Sequence, residues 1–434
     1  MQYILLLFVL LVCAVPCSAD EPAAFTLSGD WTVKVQYAGR TVDVAVFPAV
    51  VEQITGERHS KMPLYDANAT WNPAMAPEQI RGIDHFPTTF ALETQSVKVR
   101  SGTGADAAEY VKDKDFQVKE MWGAIGRLPN GNIGENQPVF LDYRFGKMRL
   151  DSIVLTKDGK IEYRLGQQDV VVPVPPKIAG GEKRLGNIWV KARITKLEPN
   201  LLFPILETVY PETGTEKNAA ETLLPKTTAK IRSGQPVKIL AWGDSVTEGA
   251  YLPLQDRWQE QFVKRLRLKY PAVKFELITE GWGGRTTAAY RNEPPESIHN
   301  FQKKVLDVKP DVIISEFVND AYLNGEALEK QYSKILEAFN GIGAEWVILT
   351  PHYVRTDWMG LDRERDIDND PRPYTQDLRK FAAAHNIALA DAAARYGRLW
   401  RRGIPYSTLM SNNINHPNAE GHQIFADALL ALFP

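Results

Sequence analysis

Four short polar segments of the 434-residue chain carry groups suited to nucleophilic catalysis. In the first, Gly243-Asp244-Ser245, the serine follows an apolar run and precedes a helical pattern. A serine at such a junction has a free backbone N–H, and the helix dipole there favours a developing anion. The second segment is glycine-rich around Gly284, so its backbone can approach a substrate closely and present an N–H.

The other two segments supply an amide and an imidazole. Asn319 follows the apolar run Asp311–Phe317, where its side chain can donate toward the same point. His416 stands before Pro417, and a proline suits the first turn of the helix that follows. These residue types amount to a hydroxyl nucleophile, a base and hydrogen-bond donors for an oxyanion.

The C-terminal half alternates short apolar runs with helical patterns. The runs are rich in β-branched residues and comprise Val237–Trp242, Val273–Thr279, Asp311–Phe317, Trp346–Thr350 and Ile387–Ala390. Strands that alternate with helices predict parallel βαβ units and a three-layer α/β sandwich over residues 236–434. In open parallel sheets, active and ligand-binding sites lie at the carboxyl ends of the strands, and three of the four segments follow such strands.

The N-terminal half has a different pattern. Short segments in which apolar and polar residues alternate are separated by turn-forming residue pairs. The predicted strands include Trp31–Tyr37, Val42–Val46, Ser96–Arg100, Val139–Phe145, Asp151–Thr156, Lys160–Leu165, Asp169–Val174 and Ile188–Leu197. Asp158-Gly159 between two of them is a hairpin signal. The pattern predicts an all-β, jelly-roll-like sandwich over residues 20–230 as an accessory domain, with the polar stretch Pro211–Gln235 as the linker or its edge.

The four polar segments together resemble the SGNH (GDSL) hydrolase superfamily. Its signature serine, glycine, asparagine and histidine occur in order at Ser245, Gly284, Asn319 and His416. The resemblance implies a flavodoxin-like fold, with Ser245 as nucleophile and His416 as general base and acid. It also implies an oxyanion hole made by the Ser245 and Gly284 backbone N–H groups and the Asn319 amide.

Two positions depart from that family's pattern. Its third block usually begins with glycine, where this chain has Phe317, and its triad carboxylate lies three residues before the histidine, where this chain has Asn413. Three interpretations follow. Asn413 or a backbone carbonyl orients His416 in a Ser–His dyad, or Asp391 substitutes for the acid. In the third, the enzyme is weakened or inactive.

Nearby residues suggest a substrate-binding surface and no metal site. Trp282 and Trp242 flank the predicted site, and indole faces stack on sugar rings. Asp244 and His352 are further candidates for the pocket. The histidines form no ligand-spaced cluster, so neither a metal nor another cofactor is expected.

The N-terminus predicts export. An apolar run, Ile4–Val15, precedes Pro16 and small residues at 17–19, the pattern of a signal peptide over residues 1–19. Both cysteines, Cys13 and Cys17, lie within it, so the mature chain has no thiol chemistry. The net charge of −2 does not indicate binding to nucleic acid, which is favoured by a strongly positive charge. No later apolar run is long enough to span a membrane.

The sequence therefore predicts a secreted or periplasmic serine esterase. By the family resemblance, which includes two-domain carbohydrate esterases with a jelly roll, the substrate is an O-acetylated polysaccharide or glycan. Three alternatives remain: a lipase or general carboxylesterase, a catalytically weak glycan-binding protein on the same fold, and an acyltransferase that uses the same serine.

Overall fold

The computed structural model describes residues 21–68, 75–212 and 217–434. The predicted signal peptide, residues 1–19, lies outside the described residues. In the described ranges, no helix is long and apolar enough to cross a membrane.

The N-terminal region consists of antiparallel sheets. Its strands are β1 (Ala24–Gly29), β2 (Thr32–Tyr37), β3 (Arg40–Ala45), β4 (Val51–His59), β5 (Leu92–Arg100), β6 (Glu109–Tyr110), β7 (Phe116–Val118), β8 (Ile125–Arg127), β9 (Val139–Gly146), β10 (Arg149–Leu155), β11 (Ile161–Arg164), β12 (Lys183–Val190) and β13 (Leu202–Pro204). They pair in the orders β1-β2-β3, β11-β10-β12-β13, β4-β9-β5-β6 and β7-β8. Apolar residues on alternate positions of β2, such as Val33 and Val35, are fully buried, because one face of that sheet packs against β10 and β12. The all-β prediction is confirmed.

Two local predictions in this half were wrong. Asp169–Val174 forms only isolated bridges, since the Asp169 carboxylate accepts the backbone N–H groups of Val171 and Val172 and so turns the chain. The predicted linker, Pro211–Gln235, contains the helices α1 (Ala220–Leu223) and α2 (Pro225–Arg232). Ala220, Leu224 and Ile231 from this stretch pack into the core of the C-terminal region.

The C-terminal region is built on a parallel sheet. Its strands are β14 (Val237–Gly243), β15 (Phe275–Gly281), β16 (Val312–Glu316), β17 (Glu345–Leu349) and β18 (Ala388–Ala390), in the order β15-β14-β16-β17-β18. The helices that follow α2 are α3 (Ser245–Glu248), α4 (Trp258–Lys269), α5 (Thr287–Asn292), α6 (Gly325–Ile342), α7 (Pro373–Ala384), α8 (Ala392–Gly397) and α9 (Ala419–Ala431). Separate apolar clusters cover the two faces of the sheet. The three-layer α/β prediction is confirmed.

The two regions contact each other over a broad surface. Trp400 inserts its ring into the apolar core of the β-rich half. The Asn187 amide donates to the Gly403 carbonyl at 2.7 Å, and Arg365 donates to the Leu202 carbonyl at 2.7 Å. These contacts bring loops of the β-rich half to the carboxyl edge of the parallel sheet.

Candidate active site

Three neighbouring strands deliver three of the candidate residues to one edge of the sheet. Ser245 is the first residue of α3, two residues after the end of β14, which pairs with β15 on one side and β16 on the other. Gly284 follows the adjacent strand β15, and Asn319 lies in a 3₁₀ turn, Val318–Asp320, after β16 on the other side. Because parallel strands end at the same edge, segments about 75 residues apart in sequence meet there.

A chain of hydrogen bonds links the serine to a histidine and a carboxylate. The Ser245 hydroxyl lies 3.1 Å from Nε2 of His416, and Nδ1 of His416 lies 2.6 Å from Oδ2 of Asp84. With the proton on Nδ1 donated to Asp84, Nε2 is free to accept the serine proton. The arrangement has the geometry of a Ser–His–Asp triad.

The loop that carries His416 is held by a buried amide. Oδ1 of Asn412 accepts the backbone N–H groups of Ile414, Asn415 and His416 at 2.9–3.0 Å. His352 adds a second support, since its Nε2 lies 2.7 Å from the Asn415 carbonyl oxygen. The imidazole of His416 is therefore placed by its loop as well as by its two side-chain partners.

Tyr251 covers one face of the His416 ring. The two rings are stacked, with centroids 4.5 Å apart and planes inclined by 2°. The Tyr251 hydroxyl lies 2.8 Å from Nε2 of His422, whose Nδ1 accepts the Trp258 backbone N–H at 3.0 Å. Burial, followed by the charges of His416 and Arg257, lowers the pKa of His422 to about 3, so this ring is neutral.

The same cavity contains a donor without a partner. Nδ2 of Asn319 is buried, and no hydrogen-bond acceptor lies within reach of it in the described part of the chain. Gly284 has a φ of +71°, a conformation that suits glycine, and nothing lies within 4 Å of the position a Cβ would take. The Glu248 carboxylate accepts the Gly283 N–H at 2.9 Å and so holds this glycine loop beside Ser245. The unpaired amide is suited to receive an oxyanion.

Buried acids lie beneath the nucleophile. Asp244 is fully buried and accepts the backbone N–H groups of Val246 and Asn319, each at 3.0 Å. Burial raises the pKa of Asp244 to about 7 and, with the charge of Asp244, raises the pKa of Glu316 well above its ordinary value. Through these hydrogen bonds, Asp244 holds together the loops that carry Ser245 and Asn319. Neither Asp244 nor Glu316 lines the cavity.

Neither residue predicted to orient His416 contacts it. Asn413 has a φ of +56°, which turns its side chain away, and its amide donates to the Thr89 hydroxyl at 3.0 Å. Asp391 caps α8 and binds Arg379 at 2.7 Å. Both predictions were wrong because the carboxylate at His416 comes from Asp84, in the β-rich half.

Four residues predicted to bind substrate are absent from the cavity wall. Trp242 is fully buried among aromatic rings of the core, because its strand is covered on both faces. Trp282 stacks on the His299 ring at 4.3 Å instead. Asp244 and His352 are fully buried as described above, and burial lowers the pKa of His352 well below its usual range.

Sequence reasoning missed Asp84, Tyr251 and Glu248. Tyr251 and Glu248 lie within six residues of Ser245, so a search of that neighbourhood would have found them. The sequence around Asp84 contains no motif that marks a catalytic acid, because Asp84 is one of many acidic residues in turns.

The cavity in front of Ser245 has a volume of about 520 Å³. Its wall includes polar groups from Ser245, His416 and Glu248 and rings from Tyr251, Phe86 and Trp358. Trp358 is 47% exposed. Within the described ranges, no cluster of three histidine, cysteine or acidic residues is placed to bind a metal.

Residues 241–424 match the sequence model of the GDSL-like Lipase/Acylhydrolase family. No curated protein has a matching sequence. Among solved structures, the chain resembles a two-domain esterase (CEX) active on acetylated mannans, at 17% identity over 50% of this chain and 54% of that chain, with a TM-score of 0.40. The chain therefore spans about half the length of that esterase.

Two further solved structures are similar to part of the chain. An acetyl xylan esterase from Geobacillus stearothermophilus has 19% identity over 45% of this chain and 94% of its own, with a TM-score of 0.36. A lipase/acylhydrolase from Enterococcus faecalis has 22% identity over 45% of this chain and 93% of its own, with a TM-score of 0.33.

Proposed function

We propose that this protein is a serine ester hydrolase that removes acyl groups, above all O-acetyl groups, from a carbohydrate. The match of residues 241–424 to the GDSL-like Lipase/Acylhydrolase model supports this proposal. The observation that carries the proposal is the 3.1 Å contact between the Ser245 hydroxyl and Nε2 of His416, in a cavity that also contains the unpaired Asn319 amide. The family resemblance predicted from these residues is confirmed by the match.

The mechanism begins with proton transfer from Ser245 to Nε2 of His416 as the serine oxygen attacks the ester carbonyl carbon. Negative charge moves to the carbonyl oxygen, where the Asn319 amide and the backbone N–H groups of Ser245 and Gly284 stabilise it. Collapse of this intermediate breaks the bond to the alcohol, and His416 gives its proton to the departing sugar oxygen. Water then attacks the acyl-enzyme by the same route and releases the carboxylic acid.

The aromatic rim of the cavity supports a sugar as the alcohol part. Tyr251 and Trp358 line the cavity, and aromatic faces pack against the C–H faces of sugar rings. Secretion or a periplasmic location, predicted from residues 1–19, would give such an enzyme access to extracellular polysaccharide.

The decisive experiment is acetate release from a panel of acetylated glycans by the wild type and by Ser245→Ala. We expect release by the wild type that falls to background in the variant. A matched control is Ser407→Ala, because Ser407 lies in the C-terminal region but its hydroxyl binds Glu364 and not His416.

Two further measurements separate the alternatives. Activity on esters of increasing acyl length should fall beyond acetate, whereas a lipase would prefer long chains. If the wild type and Ser245→Ala both bind glycan but neither shows Ser245-dependent release of an acyl group, the proposal is refuted. That result would favour a glycan-binding protein. Added alcohols that compete with water would reveal an acyltransferase.

A further inference from the structure

The carboxylate at His416 comes from the other half of the chain. Asp84 lies on a loop of the β-rich region, 332 residues from His416 in sequence, yet its Oδ2 lies 2.6 Å from Nδ1 of the imidazole. We propose that Asp84 is the positioning residue for His416, so that the N-terminal region completes the catalytic site. This inference rests on the proposed function above and replaces the accessory role predicted for residues 20–230.

The Asp84 loop is a defined turn. The Gly82 N–H donates to the Phe86 carbonyl at 2.8 Å, and Arg81 and Pro87 form a β-bridge at its base. Asp84 has φ and ψ of 60° and 14°, a left-handed conformation that aspartate, asparagine and glycine adopt most readily. The backbone of this turn therefore favours aspartate at position 84, and its contact with Nδ1 of His416 fixes where the carboxylate lies.

The turn is docked on the loop that carries His416. The Ile83 N–H donates to the Ser411 carbonyl at 3.3 Å. A Cβ at Gly82 would lie 2.9 Å from the same carbonyl oxygen, so only glycine permits this approach. The positions of Asp84 and His416 are thus coupled through backbone contacts as well as through their side chains.

An apolar cluster supports the docking beside the turn. Trp122 and Ala124 of the β-rich half and Ile414 are buried together, with Phe86 packed against them. The Arg355 guanidinium stacks over the Trp122 ring, 4.4 Å from its centroid. The backbone N–H of Arg355 donates to the Ile414 carbonyl at 2.9 Å. A packed interface of this kind suits a permanent part of the active site better than a separately moving module.

The carboxylate of Asp84 has two tasks in the proposed reaction. It accepts the Nδ1 proton and so selects the tautomer whose Nε2 can take the proton of Ser245, and it stabilises the imidazolium that forms. The proton stays on Nδ1 throughout, while the proton gained at Nε2 passes to the leaving alcohol. Phe86, two residues along the same turn, lines the cavity, so the β-rich half also contributes to the substrate wall.

The test compares Asp84→Asn with Asp84→Gly, because both residues suit the left-handed backbone of this turn. We expect kcat to fall by about 10²–10⁴-fold in Asp84→Asn, with KM within about threefold of the wild type. Asp84→Gly should be the faster of the two, because the asparagine amide can donate to Nδ1 and hold the wrong tautomer. Added formate should restore part of the activity of Asp84→Gly and none of that of Asp84→Asn.

His85→Asn is the matched control. His85 is exposed, shares the left-handed backbone with a φ of 60°, and should retain wild-type kcat when changed to asparagine. The labelling rate of Ser245 by a fluorophosphonate gives a second measure that depends on His416 and not on the choice of glycan.

The outcomes separate this inference from the proposed function. If the wild type shows Ser245-dependent hydrolysis and labelling but Asp84→Asn retains kcat within about threefold, the assignment of Asp84 is wrong while the esterase proposal stands. The assignment is also wrong if the isosteric Asp84→Asn is milder than Asp84→Gly, since that order indicates a role in loop structure alone. If the wild type neither hydrolyses esters nor is labelled at Ser245, the proposed function fails and this inference fails with it.

Discussion

Changing Asn413 to aspartate places a carboxylate three residues before His416, where the family that the sequence resembles carries its triad acid. If the natural site were compromised by the missing charge, Asn413→Asp should raise turnover strongly, by up to about 10⁴-fold on the serine-protease precedent. The structure leads to the opposite expectation, because Asn413 points toward Thr89 and Nδ1 of His416 is already bonded to Asp84.

The expected magnitude follows from what the new carboxylate would contact. Aspartate tolerates the φ of +56° at position 413, and the Thr89 hydroxyl can donate to it, so the free energy of unfolding should change by less than about 1 kcal/mol. To reach His416, the side chain would have to displace Asp84 and break the Asn413 N–H bond to the Met410 carbonyl, now 3.1 Å long. We therefore expect kcat to stay within about threefold of the wild type.

The assay is steady-state hydrolysis of a chromogenic acetyl ester by Asn413→Asp, Asp84→Asn and the double variant. Asn413→Gly serves as a control, since glycine keeps the left-handed backbone and removes the side chain. The double variant should be as slow as Asp84→Asn. A rise in kcat above tenfold in Asn413→Asp, or recovery of activity in the double variant, would refute the reasoning, because either result requires residue 413 to reach the imidazole.

Three other changes test separate parts of the site. Asn319→Ala should lower kcat by about 10²–10³-fold with little change in KM, measured on the same acetyl ester, and a smaller loss would remove Asn319 from the oxyanion hole. Trp358→Ala should raise KM for an acetylated oligosaccharide by about tenfold, and leave KM for the small chromogenic ester unchanged, if the exposed ring binds sugar. The pKa of His422 is lowered to about 3 in the folded state, so its contribution to stability is complete above its unfolded pKa near 6.5 and is lost as pH falls from 6.5 toward 3. At pH 5 this loss is about 2 kcal/mol, and the stability of His422→Gln in denaturant titrations should fall less between pH 7 and pH 5 than that of the wild type.

The parallel sheet was predictable because its signals are local. Val237–Trp242 corresponds to β14 within one residue, since a strand buried on both faces appears in the sequence as an unbroken apolar run. The same property explains the error at Trp242. An unbroken apolar run does not indicate which residues face a cavity, and this tryptophan lies in the core.

The positions of the nucleophile and the histidine were predictable from motifs, but the direction of nearby side chains was not. Asn413 lies three residues before His416, the position at which the family carries its triad acid. Its side chain nevertheless points away from His416, because its backbone is left-handed, and sequence spacing does not reveal that conformation. Asp84 could not have been chosen over other acidic residues in turns, because its proximity to His416 arises only when the β-rich half packs on the α/β domain.

The polar stretch Pro211–Gln235 has the composition of a linker but contains two helices. Threonine, lysine, proline and glutamate suggest a linker, but Ala220, Leu224 and Ile231 recur at roughly helical spacing and are buried against the α/β core. A few apolar side chains at the right period can therefore outweigh a polar composition.

The hydrogen bond between Asp84 and His416 also has a consequence for how this protein acquires activity. It joins residues 332 positions apart, and the ribosome completes one partner long before the other. Each half can form its own secondary structure first, but the hydrogen bond between Asp84 and His416 forms only after the two halves have docked. During refolding, recovery of ester hydrolysis would then report that last assembly step, and it would lag behind circular dichroism signals that record strands and helices within either half.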